Sequence, residues 1–560
     1  MLYSELCKVY QELEATSKRL EKTEVLVNFL GKLKNETPEI IYLLKGRIFP
    51  DYEEKETGIS EQLVIKALSK SSGISALEIT KEWKKLGDLG LVAESVINKK
   101  KQRSLDSKLL TVDKVLYNLK KLPELVGKGT VEKKLSLISE LLTSASTIEA
   151  RYIIRTLLGD LRVGVGDGVL RDSITLTFLE KTKENLDLVQ SAYDKTTDFA
   201  LVFEKARKGK KELEKVELTP GVPVKVMLFL KAKDIEDAFK IVGKPAAFEY
   251  KYDGFRMMIN KNKDDIKIFT RRLDEVTKQF PEVVSYVQKY VKGDSFILDA
   301  EAVGFSPTQK KYRPFQEISQ RIKRKYDIEL ISNKLPIEIN IFDIIYYSNK
   351  SLILTPFKDR RKILEKIVKG KKWQLVLAKQ IITEKSEEAE KFYQQALNEG
   401  EEGIMVKNLQ APYKPGARVG YAVKIKPEDN ELDLVIVKAE YGTGKRAGWL
   451  TSYTVACQDS DNNLLEIGKV STGLKEKESQ GLSFMEITKK LKPLIEKESG
   501  REVIIKPKLV VTVTYQNIQK SPKYASGYAL RFPRFTRIRL DRGIHDIAFL
   551  NEIKREHTQR

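Results

Sequence analysis

The chain is 560 residues long, 41% hydrophobic and 32% charged, with a formal net charge of +22 and a pI near 9.4. At roughly 150 residues per domain that length suggests three or four domains, of which the composition marks three, and no window approaches the roughly 18 uninterrupted apolar residues of a membrane span. Two distant cysteines, Cys7 and Cys457, exclude a disulfide framework or a CxxC zinc knuckle, and two histidines, His545 and His557, leave no histidine triad, so chemistry must rest on Lys, Arg, Asp and Glu.

The opening segment MLYSELCKVYQELEATSKRL carries acidic residues early and lacks an apolar h-region, which predicts an amphipathic helix of a cytoplasmic protein rather than a signal peptide. Apolar residues recur at three- and four-residue intervals through VEKKLSLISELLTSASTIEARYIIRTLLGDL, and residues 1–215 predict an all-α domain. The stretch ARKGKKELEKVELTPGVP then passes from basic to a Pro/Gly turn, the composition of a boundary. Over 216–428 the period falls to two in AAFEYKY, DIKIFTRR, SFILDAEAVG and IEINIFDIIYY, with helical segments such as PEVVSYVQKYV between them, predicting an α+β domain. Short strands such as DLVIVKAEY, SYTVACQ and KLVVTVTYQNI dominate 429–560, a β-rich domain with the length of a small barrel. The positive charge points to a polyanionic partner, because clustered Lys and Arg release counterions condensed on phosphates. A solvated, Lys-rich thermophile surface is the plainer alternative.

The sharpest local signal is EYKYDGFR. Strand alternation puts Glu249 and Lys251 on one face and Phe248, Tyr250 and Tyr252 on the other. Asp253-Gly254 offers a turn, after which Arg256 comes within reach of any phosphate that Lys251 meets. Alone, the octapeptide also reads as an edge-strand lysine beside a hairpin, but the same phasing recurs. In ILDAEAVG, Asp299 and Glu301 share a face opposite Leu298, Ala300 and Ala302, and buried carboxylates want a cation. In YAVKIK, Lys424 and Lys426 oppose Val423 and Ile425 and want an anion. Glu402 precedes a short apolar strand in EEGIMVKN, and Phe342 and Asp343 end an apolar run, where an aromatic is core by default. RFPRFTRIRLDR carries Arg531, Arg534, Arg537, Arg539 and Arg542, which alone reads as a basic strand facing nucleic acid. Gly442-Thr443-Gly444-Lys445-Arg446 lacks the spacing of a Walker A loop, and RVGVGDG has no preceding strand to make it a dinucleotide fingerprint.

Taken in order, EYKYDGFR, FTRRLDEV, ILDAEAVG, INIFDIIYY, EEGIMVKN, YAVKIK and RFPRFTRIRLDR resemble the motif series of the covalent nucleotidyltransferases, specifically the ATP-dependent DNA ligases. LLGDLRVGVGDG is similar to the DNA-binding domain of the archaeal and eukaryotic replicative type, and the archaeal form is the nearer. The resemblance implies a multidomain protein: an all-α DNA-binding domain over 1–215, an α+β adenylation domain over 216–428 and an OB-fold β-barrel over 429–560. Its implied activity is the sealing of nicks in duplex DNA, 3′-hydroxyl to 5′-phosphate, in replication, repair and recombination.

By that resemblance Lys251 attacks the α-phosphorus of ATP and carries AMP. It must lose a proton to attack, which positive charge on Lys424, Lys426, Arg256 and a metal ion favours. Glu249 contacts adenine and Phe342 stacks on it. Arg256 and Arg271 lie near ribose and phosphates, Glu301 meets ribose or metal, and Arg418, Lys424 and Lys426 hold phosphates. Magnesium is implied, with Glu301 and Glu402 as its carboxylates. Arg531 and Arg534 face pyrophosphate and then DNA, as the barrel swings between two closed states. Tyr421 departs from the tryptophan of many relatives, while both neighbouring lysines are intact. Gln102 and Leu105 lie where archaeal relatives bind the sliding clamp, without the usual aromatic pair. Nicked double-stranded DNA is the implied partner of a monomer. An RNA ligase or mRNA capping enzyme shares the Lys251 chemistry, but the long helical domain separates this chain from both. An NAD-dependent ligase would carry a four-cysteine zinc site that two cysteines cannot build. A non-catalytic DNA clamp would have no reason to keep like charges that repel.

Overall fold

The computed structural model describes residues 1–558 apart from 54, 56, 100–108, 314, 323, 325, 428–429, 443–445, 447 and 477–481. Gln102 and Leu105 thus lie outside the described residues, as do Thr443, Gly444 and Lys445. From Tyr3 to Glu214 the described chain folds as thirteen α-helices. Their starts are where the sequence offers an acceptor for the free first-turn amides: Ser60, Ser75, Asp88, Thr111, Ser146, Thr182 and Asp198 each cap a helix through the side chain. The apolar stripes of these helices meet in one core that includes Leu6, Tyr10, Tyr152, Ile153 and Phe203.

Twelve strands follow among the described residues: β1 (Leu228–Lys231), β2 (Ala246–Lys251), β3 (Phe255–Asn262), β4 (Asp265–Thr270), β5 (Ser295–Ser306), β6 (Lys311–Tyr312), β7 (Ile337–Tyr347), β8 (Lys350–Ser351), β9 (Leu375–Leu377), β10 (Gln380–Thr383), β11 (Gly403–Asn408) and β12 (Arg418–Ile425). One sheet has the order β1-β12-β11-β2-β10, and a second has β4-β3-β5-β7-β8 with β6 on β5 and β9 on β7. β1–β12 and β7–β9 pair parallel, and the other ladders run antiparallel.

Alternation decides which face each side chain takes. Phe248, Tyr250, Tyr252, Ile404, Val406, Val423 and Ile425 pack against Phe239 and Val242 of the helix Ile235–Val242 and Phe392 and Ala396 of the helix Ser386–Asn398. Each large apolar side chain buried this way contributes roughly 1.5–3 kcal/mol. That leaves Glu249, Lys251, Lys407 and Lys424 on the opposite face of the sheet. In the second sheet Leu298, Ala300 and Ala302 join Phe255, Met257, Ile339 and Ile341 in a separate core. Asp343 lies within β7, which runs on through buried Ile344 and Ile345 to Tyr347.

Residues Pro427–Arg560 form a second compact unit, and Met1–Lys426 the first. The second unit is β-rich. Its long strand Asn430–Tyr441 pairs with Leu450–Gln458, Glu502–Ile505 and Val510–Tyr515, bending at register shifts near Ile436 and Glu440. Pairing runs from Leu464–Val470 at one edge to Arg534–Arg539 at the other. Those edges meet through the Phe535 N–H, which donates to the Thr472 carbonyl at 2.9 Å. A ladder that would close them into a barrel is not found among the described residues. No helix among the described residues is long and apolar enough to cross a membrane.

Candidate active site

Lys251 ends β2, and β11 runs antiparallel beside it with Gly403 opposite Lys251 and Met405 opposite both Glu249 and Lys424. The Glu402 N–H donates to the Lys251 carbonyl at 2.9 Å, and the Glu402 carboxylate then turns onto the Lys251 amine. The same Oε2 meets the Lys426 amine at 2.6 Å. Burial pushes the Glu402 carboxyl up, but Lys251 and Lys426 outweigh it and hold the group at about 2.

Lys424 lies deeper among cations. Burial, followed by the charges of Lys426, Lys251, Arg271 and Arg418, pulls its ammonium below the ordinary lysine value. Cations from three separate stretches of sequence therefore face one region of the sheet. Glu301 looks into it from β5, opposite Arg256 on β3. Its carboxyl is pushed up to about 7 by burial, opposed by Lys251 and Arg256 and reinforced by Glu402 and Asp299. Oxygens of Glu301, facing the same region as Lys251, are the hard donors that a divalent cation takes, as are the oxygens of Glu402. Among the described residues no group of three or more acidic, His or Cys side chains is placed to hold a metal, so an ion at Glu301 would draw its other ligands from phosphate and water.

The cation that Asp299 needs is Arg256. The guanidinium donates from Nε to Asp299 Oδ1 at 2.7 Å, to the Met227 carbonyl at 2.9 Å and to the Tyr413 hydroxyl at 3.2 Å. The Tyr413 O–H in turn donates to Asp299 Oδ2 at 2.8 Å. Asp343 is held likewise by Arg360, at 2.7 and 2.9 Å. Between Lys251 and Arg256 the turn has no slack, since a Cβ on Gly254 would sit 2.3 Å from the Ala302 carbonyl oxygen.

Glu249 is fully buried with two donors. Lys407 Nζ stands 2.6 Å from one oxygen, and the Gln380 amide donates to the other at 2.8 Å. The Lys407 ammonium also lies 4.9 Å from the Phe342 ring centroid, and the Arg256 guanidinium lies 5.4 Å from it. Phe342 is half-buried rather than core, an aromatic face held between cations.

Arg531 and Arg534 belong to the second compact unit. Arg531 is buried, while Arg534 is exposed at the start of its strand. Arg537 pairs with Glu431 at 3.2 Å, and Arg539 and Arg542 both pair with Asp433, at 2.9 and 2.6 Å.

Sequence reasoning missed Lys407, Gln380, Arg360, Tyr413 and Glu401. Lys407 carried a usable signal, since in EEGIMVKN it alternates with Ile404 and Val406. Tyr413 sits in the non-repetitive stretch APYKPGAR, and Gln380 and Arg360 reach the site only through tertiary pairing.

Comparison with known proteins bears on this geometry. Family models match described as DNA ligase N terminus over residues 2–175, ATP dependent DNA ligase domain over 226–426 and ATP dependent DNA ligase C terminal region over 446–542. A DNA ligase of Nanoarchaeum equitans is 45% identical over 99% of this chain and 98% of its own length. A DNA ligase of Thermococcus fumicolans is 42% identical over 99% and 98%. The solved structure "Pmar-Lig_Pre." shares the fold, with a TM-score of 0.54 over 95% of this chain and 99% of that one at 16% identity. With three successive family models along its length and full-length relatives above 40% identity, the chain belongs to the ATP-dependent DNA ligase family.

Proposed function

We propose that this DNA ligase seals nicks in duplex DNA through AMP carried on Lys251. The observation supporting this is the surroundings of that amine: the Glu402 carboxylate and the further cations Lys424, Lys426, Arg271 and Arg418. Such a cluster is self-repelling without an anion and suits a triphosphate.

The unprotonated Lys251 amine attacks the α-phosphorus of ATP. A P–N bond forms, the bond to pyrophosphate breaks, and the amine's proton passes to water. Arg271, Arg418, Lys424 and Lys426 stabilise the crowded phosphorus and the leaving group. Glu249 accepts from the adenine amino group, Phe342 stacks on the base, and Arg256 orders ribose and phosphates. A 5′-phosphate oxygen at the nick then attacks the AMP phosphorus, breaking the P–N bond and returning a proton to Lys251. Finally the 3′-hydroxyl attacks the 5′-phosphorus, and AMP leaves. Glu301 and Glu402 would hold Mg2+, which supplies charge neutralisation to the phosphates. Arg531 and Arg534 are assigned to pyrophosphate and DNA. The reading extends to a cytoplasmic monomer serving replication, repair and recombination, with a sliding-clamp contact at Gln102 and Leu105.

Incubation with α-labelled ATP and magnesium followed by denaturation tests the first step. Acid-labile label is expected on the wild type and absent from Lys251→Ala, and added nicked DNA should take up the label and be sealed. Label retained by Lys251→Ala would refute the assignment. Label from GTP with transfer to RNA ends would make it a capping-type enzyme.

A further inference from the structure

The segment Glu401–Glu402–Gly403 enters β11 with two acidic residues, and the chemistry above uses only one. Glu401 is 6% exposed. Its Oε2 accepts the Asp253 N–H at 3.2 Å, and its Oε1 is buried without a hydrogen-bond partner. Asp253 and Gly254 form the turn that follows Lys251 and Tyr252. That turn is held elsewhere too: Asp253 Oδ2 accepts the Phe315 N–H at 3.3 Å, and Gly254 lies against the Ala302 carbonyl of β5. The two adjacent acids thus hold the proposed nucleophile and the chain that follows it, Glu402 on the Lys251 amine and Glu401 on the Tyr252–Asp253 peptide.

The groups facing Glu401 come from every neighbouring element. Asp253 and Tyr252 face it from the turn, Glu399 from the end of the helix Ser386–Asn398, Lys372 from the loop before β9 and Tyr312 from β6. Lys372 is the one cation among these five, and it also serves Glu338 of β7, at 3.1 Å. An ionised carboxylate at this depth with an unmet oxygen is unfavourable. Burial first, then the Asp253 and Glu399 charges, push the carboxyl up to about 8, against the Asp253 N–H and Lys372.

We propose that Glu401 is a positioning residue for adenylation: by holding the Asp253 N–H it fixes the turn after Lys251, and with it the approach of the amine to the α-phosphorus. The inference rests on Lys251 being the nucleophile. Loss of the anchor frees the turn, and misplacement by about 1 Å costs on the order of a hundredfold in rate.

The test compares single-turnover labelling by α-labelled ATP with sealing of a nick that already carries AMP, a step in which Lys251 forms no bond. Glu401→Ala is expected to slow labelling by roughly 10- to 100-fold, with the KM for ATP within about twofold and sealing of the adenylated nick unchanged. Glu401→Gln keeps the acceptor and should label at nearly the wild-type rate at pH 7. Wild-type labelling by Glu401→Ala overturns the proposal, as does an equal loss in both assays. Should Glu401→Ala fail to fold, Glu401→Met, which fills the space without an acceptor, takes its place, and wild-type labelling by it overturns the proposal. Lys251→Ala run alongside separates the two readings: label on that variant defeats the nucleophile assignment, whereas label lost there but undiminished in Glu401→Ala defeats only the role of Glu401.

Discussion

Glu402→Gln should take up label from ATP at least about a hundredfold more slowly than wild type, the scale of losing one preorganised charge contact. The substitution is isosteric and leaves Lys251 and Lys426 against a neutral amide. Both amines then sit among Lys424, Arg271 and Arg418, with Glu301 the remaining carboxyl facing Lys251. The same change alters stability in a pH-dependent way. Glu402 lies at about 2 in the folded protein against 4.5 for a free carboxyl, so its contribution is fully present above about 4.5 and lost as pH falls toward 2. The shift corresponds to a contribution on the order of 3 kcal/mol. Chemical unfolding measured at pH 7 and at pH 3 should show the wild type losing part of that advantage and Glu402→Gln lacking it at both. A variant that labels at the wild-type rate would remove Glu402 from the mechanism.

Arg256→Ala is expected to be costly for a different reason. Asp299 is fully buried, and the guanidinium is the cation that faces it, the Tyr413 hydroxyl being its other donor. Breaking a buried pair by removing one partner destabilises by roughly 3–5 kcal/mol. Denaturant unfolding should show a loss of that size, with labelling by ATP also lost. Adding Asp299→Asn removes the stranded charge, and most of the stability should return without the labelling. Recovery of both would mean that Arg256 is structural and takes no part with nucleotide. Recovery of neither would place the defect elsewhere.

These contrasts show how far the residues could be read unaided. Alternation in EYKYDGFR, ILDAEAVG and YAVKIK assigns Glu249, Lys251, Asp299, Glu301, Lys424 and Lys426 to their faces, because a strand's side chains must alternate whatever lies beside it. Which strands are neighbours is a property of register and tertiary pairing, and there the reading stopped. Asp299 was legible as a carboxylate needing a cation, but only the β3–β5 ladder names Arg256 as that cation. Glu402 was legible as an acidic residue before an apolar strand, yet its hold on two lysines depends on β11 lying beside β2 and β12. Phe342 shows the limit from the other side. An aromatic in an apolar strand defaults to core, and its half-exposed ring between Arg256 and Lys407 follows from strand positions far apart in the chain.

The contact between Lys251 and Glu402 joins residues 151 positions apart. At translation rates of about 5–20 residues per second, the ribosome would release the lysine roughly 8–30 s before the carboxylate that receives it. Through that interval β2 lacks its ladder neighbour β11, and β10 emerges only near the end of it. The nascent lysine is an ordinary solvated side chain with no cation cluster around it. On the proposed function, charging with nucleotide would wait for the polypeptide to pass residue 426, and a product cut short before β11 would display EYKYDGFR yet carry no AMP.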